Sequence, residues 1–480
     1  MTLPRRAFLS AGTLSALLML TSPALRAQPV AVDARAAGIP FLDSSIVALK
    51  VGGWNPATPG LGIIDNLNRS DGGRNLLTDT ASLVMLQEYA LSTPLTASAR
   101  LNPIVLPNLA TTNGQRALTM SSNSGSEGAL RLSADGRYLT MAGYNQTQTS
   151  TLISAATPTN PLDPSTGQGA KFAPTVVNRV LGRVDASGNI DTRTALTDAY
   201  NGDNIRAAVS SDGTRFWSAG NISGSSQNAT GGVRTATLGA STSVQVEGSA
   251  APGLTTSNIN RVDIYQGQLY ASTRNAANSG IWAIGSGLPT GAVGGTRLFD
   301  YGALVGAATG RTAGASNPNT NFQGPYDFFF ASPGLLYVAD SILGISRFSF
   351  SAQSSWQYDY TFARTGGVQN DGSNGQPKQA GGAIGLTGRV LADGQVVLYA
   401  TGGFGGHVVN GSLDTYGGNY LYALTDQGAQ SDISILAVAG ASESFKGVAL
   451  APVPEPAGYA LMSAGLLVVA LTRRRRSAHA

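Results

Sequence analysis

Leu130-Arg131-Leu132-Ser133-Ala134-Asp135-Gly136-Arg137-Tyr138-Leu139-Thr140-Met141-Ala142-Gly143 reads as a strand, a tight turn and a second strand. The same order returns in Ala207-Ala208-Val209-Ser210-Ser211-Asp212-Gly213-Thr214-Arg215-Phe216-Trp217-Ser218-Ala219-Gly220. Asp-Gly suits such a turn, because glycine takes positive φ without steric cost. Asp135, Asp212 and Asp393 are therefore read as turn residues. The second strand of each copy alternates large and small side chains, the period of a pleated strand.

Weaker copies follow at Val262–Ser272, Phe328–Asp340 and Val390–Thr401, and Phe445–Ala451 is the first strand of a sixth. Most hairpins are followed by a second strand pair, such as Arg179–Asp185 with Ile190–Leu196, Val233–Leu238 with Ser243–Glu247, and Tyr420–Thr425 with Ile433–Val438. No helical periodicity stands out between the two ends of the chain. Four-stranded units repeated along the chain predict an all-β β-propeller. Ser45–Val51 and Leu83–Tyr89 have no hairpin partner of the repeat type, so they are expected to share one blade with Phe445–Ala451 and close the ring. The count is six blades, or seven if 149–175 holds a degenerate one.

Both ends of the chain read as targeting segments. Arg5-Arg6 precede the apolar stretch Ala11–Leu20 and then small residues, the layout of a secretory signal peptide over residues 1–27. Pro4-Arg5-Arg6-Ala7-Phe8-Leu9 resembles a twin-arginine (Tat) motif, which implies export of a folded body; Sec export is the alternative. At the other end, Val453-Pro454-Glu455-Pro456 is followed by the apolar run Ala457–Thr472 and by Arg473-Arg474-Arg475-Arg476. A helix of that transmembrane segment would be about 24 Å long, slightly short for a hydrocarbon core of about 30 Å, so it would span with little tilt or local thinning. The four arginines would stop transfer and hold the C-terminus in the cytoplasm.

This tail, residues 453–480, resembles the PEP-CTERM sorting signal of exopolysaccharide-producing Gram-negative bacteria, with all three parts in order. The resemblance implies recognition by an exosortase, a membrane protease-transpeptidase that cuts near Pro454-Glu455-Pro456. It also implies an inner-membrane-anchored precursor and a product at the cell surface or outside the cell. The body, residues 28–452, is similar to exported propeller-like proteins that share the Ser126–Tyr144 segment and the closing Phe445–Pro452 segment.

Of the 31 basic and 27 acidic residues, the two ends hold seven basic ones (Arg5, Arg6, Arg26 and Arg473–Arg476) and Glu455, so the body carries a net charge of −2. The overall basicity belongs to the ends, and no basic stripe for nucleic acid remains. Cysteine is absent, so stability rests on packing and backbone pairing without disulfides.

Candidate chemistry is sparse. His407 is the single body histidine and lies in a glycine-rich run, so a His-rich zinc site is excluded and His407 reads as a loop residue. Glu127, Asp327 and Asp340 lie near blade heads and are the candidate carboxylates for glycoside cleavage at a central channel; their bland role is to hold loop amides. Asn201–Asn204 and Asn370–Asn374 could offer oxygen to calcium, although neither follows the EF-hand pattern, and no cofactor is expected. Tyr144, Trp217, Tyr270, Tyr326 and Tyr337 could stack on sugars but read first as core.

The expected function is therefore a non-catalytic surface or matrix protein associated with exopolysaccharide, biofilm or adhesion. The alternative is an extracellular hydrolase or lyase acting on polysaccharide or phosphate esters. A third class is a scaffold for protein partners.

Overall fold

Six consecutive antiparallel sheets, each running through four strands from the centre outward, build the body of the protein, and in the first a short fifth strand, Ile104–Val105, pairs beside this path. The computed structural model describes residues 38–52, 81–109, 112–121, 124–147, 177–247, 254, 256–275, 277–314, 320–366, 381–402, 408–409, 412–413, 420–439 and 443–454. Blade 2 runs outward through Arg131–Leu132, Tyr138–Tyr144, Arg179–Asp185 and Ile190–Leu196. Blade 3 uses Ile205–Ser210, Arg215–Gly220, Val233–Thr237 and Val244–Glu247. Blade 4 uses Ile259–Tyr265, Gln268–Thr273, Gly280–Ile284 and Gly295–Asp300. Blade 5 uses Asp327–Ser332, Leu335–Asp340, Gly344–Ser351 and Ser355–Thr361. Blade 6 uses Ala383–Val390, Val396–Gly402, Tyr420–Thr425 and Ile433–Val438.

Blade 1 is shared between the two ends of the body. Its innermost strand is Glu443–Leu450, followed outward by Ser45–Gly52, Val84–Thr93 and Thr96–Ala99. The closing register pairs Ile46 with Leu450, Ala48 with Val448 and Gly52 with Glu443. Each inner strand packs against the next, and Glu443–Leu450 touches those of blades 6 and 2, so the ring closes at six. The expected blade within 149–175 falls outside the described residues. Tyr138–Tyr144 and Arg179–Asp185 on either side of that segment pair directly, so it inserts between two strands of blade 2.

The Asp-Gly turns form as read. Gly136, Gly213 and Gly394 all have positive φ. Asp135 accepts from the Arg137 amide at 3.1 Å, Asp212 from the Thr214 amide at 2.8 Å and Asp393 from the Gln395 amide at 3.0 Å.

The core lies between blades. Each of the six blade junctions holds its own apolar cluster, such as Val47, Leu86, Leu139 and Val180 between blades 1 and 2. At the closing junction, Ile46, Tyr89, Val397, Tyr399, Leu421 and Phe445 pack together. This division follows from alternation, because successive residues of a blade strand face opposite neighbouring blades.

Among the described residues there is also an α-helix that the sequence reading did not predict, Tyr301–Thr309 between blades 4 and 5. Only Tyr301 and Val305 of it are buried, so no apolar stripe marked it. Its caps did carry a signal: Asp300 accepts from the Ala303 amide, and Gly310 adopts the left-handed conformation that ends a helix. The signal peptide and the apolar segment 457–472 lie outside the described residues, among which no helix is long and apolar enough to cross a membrane. The described part of the tail ends with Val453, whose amide donates to the Gly136 carbonyl at 2.9 Å, and with exposed Pro454.

Ring closure has a steric test. A Cβ on Gly447 of the closing strand would lie 2.4 Å from the Leu130 nitrogen and 2.5 Å from the Gly128 oxygen. Gly447→Ala must push blades 1 and 2 apart. It should cost about 1–3 kcal/mol, read as a lower denaturant midpoint, whereas Gly291→Ala should cost little, since nothing stands near that position and its backbone is not in the left-handed region.

Candidate functional site

The inner strands carry charged residues where the sheet pattern calls for apolar ones. They are Lys446 in blade 1, Arg131 in blade 2, Arg206 in blade 3, Arg261 and Asp263 in blade 4, and Asp327 in blade 5. All except Asp263 are essentially buried. Arg131, Arg261, Asp263 and Asp327 meet at the axis of the ring.

Arg131 and Asp327 form the centre. One Nη of Arg131 donates to Asp327 Oδ1, and because blades 2 and 5 stand opposite in a six-membered ring, this ion pair crosses the axis. Arg131 also donates to the Val262 carbonyl at 3.2 Å and the Leu386 carbonyl at 3.4 Å, tying blades 4 and 6 to the same side chain. The Leu386 amide returns a hydrogen bond to Asp327 Oδ2 at 2.9 Å. Arg261 donates to the Ser126 carbonyl at 2.8 Å and the Ile384 carbonyl at 2.9 Å, with its Nε 3.8 Å from Asp327. The channel is thus bridged by two guanidinium groups around one carboxylate.

Burial sets the electrostatics. Arg261 is pushed down to about 10 by burial, which Asp327 only partly opposes. For Arg131, burial works against the charge, but Asp327 and Asp263 outweigh it and the pKa rises. Asp263 keeps 28 % of its side-chain surface, yet protein surrounds it so densely that burial lifts its pKa to about 6, against the pull of Arg131 3.8 Å away.

The three candidate carboxylates fall into three separate networks. Glu127 is buried and accepts from the Ser121 amide at 2.9 Å and the Tyr144 hydroxyl at 2.8 Å. Asp327 holds the axial arginines. Asp340 accepts from the amides of Gln323, Gly324, Ile342 and Leu343 at 2.6–3.2 Å and pins the loop that leads into blade 5. In these contacts Glu127, Asp327 and Asp340 each hold different groups.

Among the other candidates, Asn201 and Asp203 bond to protein groups, Asn201 Nδ2 to Gln227 at 3.1 Å and Asp203 Oδ2 to Asn221 at 2.7 Å. Among the described residues there is no group of three or more His, Cys, Asp or Glu placed to hold a metal. His407 and Asn370–Asn374 lie outside the described residues. Tyr144, Trp217, Tyr326 and Tyr337 are buried in the core, and half-buried Tyr270 packs on Phe330 with centroids 4.7 Å apart. None of these five is an open sugar platform.

The sequence reading missed Arg131, Arg206 and Arg261. Their signal was present: Leu130-Arg131-Leu132, Ile205-Arg206-Ala207 and Asn260-Arg261-Val262 put an arginine into each of three successive inner strands.

No family model and no curated protein matches the chain. Solved structures resemble it at the level of fold. One, titled "Crystal structure of Nidogen/Laminin Complex", is 9 % identical with a TM-score of 0.39, covering 84 % of this chain and 98 % of that one. Another, a GH74 enzyme of Niastella koreensis, is 11 % identical with a TM-score of 0.35, covering 73 % of this chain and 44 % of that one. Neither likeness carries information about chemistry.

Two predictions follow from the axial network. Asp327→Asn leaves two arginines buried without their carboxylate and should lower the unfolding free energy by about 3 kcal/mol or more, measured by chemical denaturation at pH 7. Asp263 binds its proton more tightly folded than unfolded, so its contribution makes stability fall as pH rises from about 4 to about 6. Asp263→Asn should remove that slope, which for one group cannot exceed about 1.4 kcal/mol per pH unit. Subtracting the melting curves of the two proteins across this range isolates it.

Proposed function

We propose that this chain is an exported, exosortase-processed protein of the cell surface or extracellular matrix that acts without catalysis, in association with exopolysaccharide, biofilm or adhesion. The observation that carries the reading is the order Val453-Pro454-Glu455-Pro456, apolar run, Arg473–Arg476 directly behind the closing strand. The strand ends at Leu450 and Pro454 is exposed, so a cut at the motif would leave every pair of the closing register in place. Processing and folding are thereby compatible.

The absence of disulfides fits this route, because the ring is held by packing and backbone pairing in any redox compartment. Export of the folded body through a twin-arginine pathway would suit a propeller, whose closure joins strands about 400 residues apart and is slow to form. The carboxylates that a hydrolase or lyase would need, Glu127, Asp327 and Asp340, are engaged with backbone amides, a tyrosine and arginines, which supports the non-catalytic reading over the alternative.

The test is processing in the producing cells. Replacing Pro454, Glu455 and Pro456 together by alanine should leave an uncut precursor in the inner membrane, seen as a heavier band on immunoblot, while the parent chain appears at the cell exterior. Parent and variant of equal mass and equal location would overturn the sorting assignment.

A further inference from the structure

The two ends of the ring differ. Inner strands start at one end and finish at the other, so the Asp-Gly turns and the exit of the tail at Val453 lie at the finishing end. At the starting end of blades 3 to 5 lie the connections 197–204, 221–232, 248–258, 274–279, 310–326 and 341–343. Their sequences hold Arg274 and Arg311, ten asparagines and two acids, Asp198 and Asp203.

Two arginines at this end have no carboxylate partner. Arg206 is 2 % exposed, and its guanidinium donates only to the neutral side-chain oxygens of Asn204 at 2.9 Å, Asn260 at 2.7 Å and Asn258 at 3.2 Å. That uses three of five N–H groups. Arg274, half-buried beside it, donates to the Tyr326 hydroxyl and lies over the Tyr326 ring at 5.0 Å. Among the described residues no Asp or Glu lies within ion-pair distance of either. Asp203, the nearby acid of this end, spends its oxygens on the Asn204 amide and on Asn221.

Like charges enclosed together without a counter-ion raise the energy of the empty site. Burial above all, and then the charge of Arg274, press the Arg206 pKa down to about 10, which the charge of Asp203 only partly opposes. The cost would be relieved by an anion presenting oxygens to the spare N–H groups of both arginines. Around them Asn221, Asn258 and Gln323 are partly exposed amides, which suit hydroxyl groups.

We propose that Arg206 and Arg274, framed by Asn221, Asn258 and Gln323, bind an oxyanion carried by an acidic glycan at the starting end of blades 3 to 5. The oxyanion is inferred from the arginines; the glycan as its carrier rests on the surface-matrix reading. A carboxylate accepts two parallel bonds from guanidinium, so uronate is the preferred group over a neutral sugar.

The probes are polygalacturonate and dextran, titrated against the full chain in detergent by isothermal calorimetry. Polygalacturonate should bind, dextran should not, and affinity should fall as salt rises. Arg274→Gln should weaken binding about 10-fold, the loss of one charge-assisted contact, with its melting temperature measured alongside to confirm that the fold is kept. Arg206→Lys keeps the charge but loses the fork, and should weaken it as well. Monomeric galacturonate that binds as tightly as the polymer would identify a free small anion as the ligand and overturn the glycan part. Equal binding of dextran and polygalacturonate, unaffected by Arg274→Gln, would overturn this site while leaving the matrix reading standing. Binding of neither polymer would overturn both.

Discussion

The pairing of Ser45–Gly52 with Glu443–Leu450 is the constraint on which the rest depends. A ring of sheets has no free edge only if its first and last strands join. Here the join is made by seven residues or so of antiparallel backbone and by the apolar cluster around Tyr89, Tyr399 and Phe445, with no cysteine to lock it. Every blade junction is an equivalent apolar seam, so opening the closing blade would expose two seams at once. The close approach of Gly447 to Gly128 and Leu130 shows how tightly the last strand is drawn into the centre.

Closure also brings the inner strands near enough for charge to matter. A six-membered ring leaves an axis that side chains can span, and Arg131, Arg261 and Asp327 span it. Their hydrogen bonds reach the backbones of blades 2, 4, 5 and 6, so the network acts as a hub. Buried charge is a costly way to gain stability; it specifies which blade faces which. The arginine of blade 3 takes no part in that neutralisation; Arg206 bonds the side chains of Asn204, Asn258 and Asn260 instead.

Much of the ring was legible in the sequence because its signals are local. Asp135-Gly136, Asp212-Gly213 and Asp393-Gly394 fix turns through the glycine conformation, and the strands beside them alternate cleanly. The outer strands Tyr420–Thr425 and Ile433–Val438 were bounded as they occur. Thr96–Ala99 was not seen, since an exposed edge strand of small residues carries little pattern. The roles of the carboxylates were only half legible. Asp327 and Glu127 gain their meaning from residues far away in the chain, Arg131 and Tyr144, and such partners emerge only once the ring is closed. Asp340, by contrast, holds amides within its own stretch of chain. The helix Tyr301–Thr309 escaped because its caps, not its faces, define it.

The central claim is that the protein binds matrix without breaking it. The decisive measurement incubates the full chain with exopolysaccharide from the producing organism and records both co-sedimentation and new reducing ends. The account predicts that the protein sediments with the polymer and that the number of ends stays constant. New ends that appear with the parent chain and vanish in Glu127→Gln or Asp340→Asn would contradict it and make the protein a glycan-cleaving enzyme.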